Sequence, residues 1–194
     1  MVNTPTNTQE LFYLYKERGD EPYGEAITQT EHALQCAALA RAEGASDAMI
    51  IAALFHDIGH LVVEIQNEPG FKMDEDDDAH EAIGARVLAP LFGPSVAGPV
   101  ALHVTAKRWR CSTDPGYHDR LSEASKMTLK AQGGLLSDEE CLRFEEHPGF
   151  PDALALRTWD DEGKIEDLDV GTLDDYVGLV NALAEAWSRG RHAR

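Results

Sequence analysis

The stretch AALFHDIGH, residues 52–60, constrains this chain more than any other. Its first half, through Leu54 and Phe55, has the character of a helix buried on all sides. It then runs directly into His56, Asp57 and His60. Burying such groups without partners costs several kcal/mol each. The fold must therefore deliver a partner to the end of this segment, whether protein, water or metal.

The rest of the sequence is helical in pattern. Helices are expected over about 8–19, over TQTEHALQCAALARAEG to Gly44, and from a Ser46 cap through about Val62. A loop follows from Glu64 to Asp78, with Pro69-Gly70 and the acidic run 74–78, read as a solvated loop or a lid. Further helices are expected at 79–91, 95–108, 119–131, 137–146, 151–158 and 172–189. Residues 111–118 read as a turn-rich loop, and the basic tail RGRHAR as disordered. Ser137 and Glu140 stand in capping-box spacing. Strand-like alternation and internal repeats are absent, so the expectation is an all-α single domain over 1–194.

Composition narrows the partners. A formal charge of -18 over 194 residues would repel nucleic acid and anionic membranes. It leaves room for a small anionic ligand, which responds to local charge. No apolar run approaches the ~20 residues of a membrane span, and MVNTPTNTQE lacks the basic and apolar regions of a signal peptide. Cys36, Cys111 and Cys141 have no CxxC spacing. A cytoplasmic protein with reduced thiols is expected.

Four histidines, His32, His56, His80 and His103, recur at intervals of 24, 24 and 23 residues, about one helix plus one loop. One histidine on an apolar helix is ordinarily a satisfied core residue. Four of them at helix-scale spacing, with Asp57 beside His56 and Asp160 closing LRTWD, could converge on a common centre. Imidazole with carboxylate suits iron, manganese or zinc. A carboxylate has two oxygens, so Asp57 could bridge two ions.

Charge is inverted between Ala101 and Gly134, where six Lys/Arg face three acids. Lys107 lies one helical turn after His103, and Arg157 three residues before Asp160. Both side chains are natural receptors for a tetrahedral oxyanion.

The pattern H…HD…H…H…D with HDIGH resembles the HD-domain superfamily, a helical-bundle fold whose members are mostly phosphohydrolases. The segments GEAITQTEHALQCAALA, ALFHDIGH, HVTAKRW, LSEASKMTLKAQGG and RTWDDEGK, across about residues 24–167, are more closely similar to the PhnZ-type mixed-valent diiron oxygenases. That resemblance implies O2-dependent cleavage of the carbon–phosphorus bond in a 1-hydroxy-2-aminoethyl-type phosphonate. The products would be inorganic phosphate and glycine, or glycine betaine from an N-trimethylated substrate. The alternative is an HD-type hydrolase of a phosphate ester or nucleotide.

By the same resemblance, His32, His56, Asp57 and Asp160 would hold one iron, and Asp57, His80 and His103 the other. His60, Lys107, Ser125, Gln132 and Arg157 would receive the phosphonate, and Glu25 the cationic end. Tyr23 is the gating candidate. It stands two residues before Glu25 where the family has three, and Pro22 holds the earlier position. Either the loop is one residue shorter and Tyr23 compensates, or the gating role is altered.

Overall fold

Local capping starts many of the helices. In the computed structural model, which describes residues 4–22, 26–62 and 79–192, Asn7 caps α1 (Thr8–Arg18) and Thr28 caps α2 (Gln29–Ala42). The Thr28 cap is reciprocal. Its hydroxyl accepts from Glu31 N–H at 3.2 Å while its own N–H donates to Glu31 Oε2 at 2.7 Å. Ser46 caps α3 (Asp47–Phe55), and after a turn α4 covers Ile58–Val62. Then come α5 (His80–Phe92), α6 (Pro94–Thr113), α7 (Tyr117–Arg120), α8 (Glu123–Ala131), α9 (Asp138–Glu145), α10 (Phe150–Glu162) and α11 (Asp174–His192). The fold is all-α. Its one β-type pairing among the described residues is the isolated bridge between Pro22 and Thr28. Among the described residues no helix is long and apolar enough to cross a membrane.

The apolar character of α3 has a positional cause. Ile51 through Phe55 are fully buried because α2, α6, α10 and α11 all pack against this helix. The main core joins α3 to Leu11, Leu14 and Tyr15 of α1, Leu88 and Phe92 of α5, and Leu156 and Trp159 of α10. Burying one such large side chain contributes about 1.5–3 kcal/mol. Every helix presenting a candidate donor is thereby tied to one packed centre.

Several boundaries differ from the sequence pattern. The helix expected from 46 to 62 turns at His56–Asp57. Adjacent positions on a continuous helix point ~100° apart, and the turn lets both side chains face one centre. The loop expected at 111–118 shrinks to 114–116, because Cys111 is buried against Tyr117, Leu121 and Leu129 and draws α6 onward. The helix expected over 119–131 breaks before Ser122, whose hydroxyl accepts from Ser125 N–H and starts α8 afresh. The short helix expected at 151–158 runs on to Glu162 and so carries Asp160 within it. The expected disordered tail is helical through His192, where His192 Nδ1 bonds the Ser188 carbonyl. Tyr23, Glu25 and the acidic loop 74–78 lie outside the described residues.

Candidate metal centre

Four helices and the turn between α3 and α4 bring six donors together. His32 comes from α2, His56 and Asp57 from that turn, His80 from the first position of α5, His103 from α6 and Asp160 from α10. All six are buried. They separate into two sets that share Asp57.

In the first set, His32 Nε2 lies 3.2 Å from His56 Nε2 and 3.4 Å from Asp160 Oδ1, and His56 Nε2 lies 3.5 Å from Asp57 Oδ2. In the second, His80 Nε2 and His103 Nε2 are 3.1 Å apart, and each is 3.5 Å from Asp57 Oδ1. Donors held ~2.1 Å from one ion at tetrahedral or octahedral angles stand about 3.0–3.4 Å from each other. The observed spacings match that requirement.

Tautomers strengthen the case. The Nδ1 atoms of His32, His56 and His103 lie 2.8, 2.9 and 2.7 Å from the carbonyls of Gly163, Ala53 and Val100. A carbonyl only accepts, so each Nδ1 carries a proton there and each ring turns its Nε2 toward the centre. The Nε2 atoms of His32 and His56, 3.2 Å apart, are spaced to share one ion. Burial pushes the His56 imidazole down to about 4, against the pull of Asp57 and Asp160, and keeps it neutral. Burial would raise the Asp57 carboxyl, but His56 and the other surrounding imidazoles hold it well below the usual carboxylate range. Burial opposes ionisation of Asp160 too, and Arg157 and Lys164 overcome it. Neutral imidazoles and ionised carboxylates are the forms that ligate, and the arrangement is that of a metal site.

Cations flank the first set. Lys107, 3% exposed, donates to Thr128 Oγ1 at 3.0 Å. Lys164 Nζ lies 3.6 Å from Asp160 Oδ1 and donates to Ser125 Oγ at 3.4 Å. Burial pushes the Lys107 ammonium down to about 7, and Arg157 and Lys164 add repulsion that Asp160 offsets only in part. Gln132 Oε1 is buried and accepts no hydrogen bond from the described residues. His60 stacks on His80 with ring centroids 3.9 Å apart and planes at 18°.

Arg157 sits differently. Its Nη1 donates to Asp160 Oδ2 at 2.7 Å, its Nε to Tyr117 Oη at 2.9 Å, and its Nη2 to Asp161 Oδ1. Three of its five N–H groups are thus engaged by groups of this chain, and two carboxylates neutralise it. Lys164, Thr128, Tyr117 and Asp161 escaped the sequence reading. Of these only Lys164 carried a signal, one helical turn beyond Asp160.

A family model described as "HD domain" matches residues 30–134. The chain is 44% identical over 175 residues to a hydroxymethylphosphonate dioxygenase of Gimesia maris, covering 90% of this chain and 87% of that protein. It is 39% identical over 174 residues to a [1-hydroxy-2-(trimethylamino)ethyl]phosphonate dioxygenase (glycine-betaine-forming) of Leisingera caerulea, covering 89% and 87%.

Proposed function

The chain belongs to the HD-domain family, among its PhnZ-type oxygenases, and from that membership we propose that it is a diiron oxygenase that uses O2 to cleave the carbon–phosphorus bond of a 1-hydroxyalkylphosphonate. The observation that carries this reading is Asp57, whose two oxygens each face a different imidazole pair, in a site that also holds the buried ammonium of Lys107.

His32, His56, Asp57 and Asp160 would hold one ion, and Asp57, His80 and His103 the other. Iron, bound there as a mixed-valent Fe(II)/Fe(III) pair, would supply the redox capacity for O2 chemistry. The protein's own work is charge and geometry. Lys107 and Lys164 attract the phosphonate, Ser125 and His60 offer donors to its oxygens, and the Gln132 amide completes the cradle. Arg157 holds Asp160 in place through its ion pair. The walls of α3, α6 and α10 exclude bulk water.

For the substrate we propose a 1-hydroxy-2-aminoethyl-type phosphonate, with Glu25 receiving the primary or trimethylated amine and Tyr23 gating access. Glycine, or glycine betaine, leaves with inorganic phosphate. The 44% identical relative favours a second reading, hydroxymethylphosphonate itself. One O2 then balances as formate plus phosphate, and Glu25 has no cation to bind.

The test is to load the protein with iron anaerobically, add each of the three phosphonates with O2, and follow oxygen uptake, phosphate and the carbon product. One phosphate per O2 with any of them supports the oxygenase. Phosphate without oxygen uptake points to hydrolysis, and turnover of none removes the assignment.

Lys107 makes the reading testable by pH. As pH climbs through about 7 the free enzyme's Lys107 gives up its proton, so KM for the phosphonate rises. Lys107→Arg keeps the charge and flattens that rise. Folding stability has the opposite sign. Between about 7 and 10.5 the unfolded chain holds the proton and the folded chain does not, so stability increases with pH across that window. Lys107→Met removes the increase, as chemical denaturation at several pH values will measure.

A further inference from the structure

Residues 163–165 leave α10 as a strap against α2, and each makes a different contact. The Gly163 carbonyl accepts from His32 Nδ1 at 2.8 Å. The Lys164 ammonium stands beside Asp160 and Ser125. The backbone of Ile165 is bracketed by the carboxamide of Gln35: its N–H donates to Oε1 at 2.9 Å and its carbonyl accepts from Nε2 at 2.8 Å. Gln35 is 2% exposed and lies one turn after His32 on the same helix. The front of the strap has no slack, because a Cβ on Gly163 would lie 2.7 Å from Cys36 Sγ and 3.2 Å from Cys36 N.

We propose that Gln35 is a positioning residue for the first donor set. By pinning Ile165 it fixes two groups at once, the carbonyl that orients the His32 ring and the ammonium beside Asp160. If the strap slid, His32 would lose the acceptor that keeps its proton on Nδ1, and Nε2 would no longer be held toward His56. This inference rests on reading the six donors as a two-ion centre. It concerns ligand orientation and leaves the substrate open.

The test uses the full-length metal-free protein titrated with Co2+, read by its visible absorption, with circular dichroism checking the fold. Gln35→Leu removes both backbone bonds at similar volume, and Gln35→Glu keeps only the acceptor. Second-sphere partners of this kind are typically worth 10–100-fold in metal affinity. We expect one of two Co2+ equivalents to weaken by about 10-fold or more in Gln35→Leu, less in Gln35→Glu, with the other equivalent unchanged. Gly163→Ala, acting at the other end of the strap, should weaken the same equivalent. Repeating the titration in a His103→Ala background, which lacks the second set, identifies it as the first. Unchanged affinities, or equal weakening of both sites, would overturn the proposal and leave Gln35 a structural clamp. Should Gln35→Leu fail to fold, Gln35→Glu and Gly163→Ala decide the matter. A wild-type protein that binds two ions but turns over no phosphonate overturns the functional reading alone. One that binds no metal overturns both.

Discussion

Replacing Asp57 with alanine will leave the protein with at most one metal ion and no measurable phosphonate-dependent oxygen uptake. The expectation comes from how the carboxylate is divided. Oδ2 lies 3.5 Å from His56 Nε2 and 3.8 Å from His32 Nε2, while Oδ1 lies 3.5 Å from both His80 and His103. Among the described residues no other side chain lies between both sets. Without Asp57 the second set falls to two imidazoles, below the three protein ligands that usually hold a catalytic ion. The first keeps two imidazoles and Asp160. Removing a partner one sphere further out costs about 10–100-fold in affinity or activity, so losing a shared ligand should exceed that range. Elemental analysis after reconstitution and an oxygen electrode check it. The metal-dependent rise in melting temperature should shrink in parallel, since that rise measures ions bound to the folded state. A variant that retains two tightly bound ions and wild-type turnover would remove Asp57 from the centre.

The second large effect belongs to a residue with no functional group. Gly59→Ala is expected to destabilise the protein by about 2 kcal/mol, a fall in Tm of about 4–8 °C for a chain of this size. Helix propensity alone predicts the opposite, because alanine in a helix is favoured over glycine by about 1 kcal/mol. Space decides. A Cβ at position 59 would sit 2.0 Å from the His80 carbonyl oxygen, 2.7 Å from its carbon and 2.8 Å from its Cα. Those are backbone atoms and cannot swing aside as the end of a side chain would. Helix α4 must move away from the start of α5, carrying His80 off Asp57. Gly59→Ala should therefore lose the second metal and keep the first. Gly178→Ala is the control. Its Cβ would meet nothing within 4 Å on the exposed face of α11, so it should gain a few tenths to 1 kcal/mol. Calorimetry of the two variants, with metal analysis, separates propensity from packing.

Gly59 also shows where reading a sequence stops. The motif HDIGH gives no reason for its glycine, and the reason is the carbonyl of His80, 21 positions further along the chain. Arg157 is a second case. Three residues before Asp160 it reads as an anion receptor, and the structure adds what no local pattern shows, that two carboxylates and a tyrosine hydroxyl engage three of its five N–H groups. Lys164 is a third: the sequence assigns it no role, yet it stands beside Asp160 and Ser125.

Helical periodicity, the caps at Ser46 and Ser137, and the donor chemistry of four histidines and two aspartates were legible in the chain alone. They depend on covalent neighbours within a turn or two, and on which atoms a side chain carries. Only the tertiary structure decided that α3 breaks at His56–Asp57, which oxygen of Asp57 faces which imidazole pair, and which cations are already neutralised. Those outcomes depend on distances of 3 to 4 Å between helices far apart in sequence. Such distances follow from packing around α3, and no local pattern of residues encodes them.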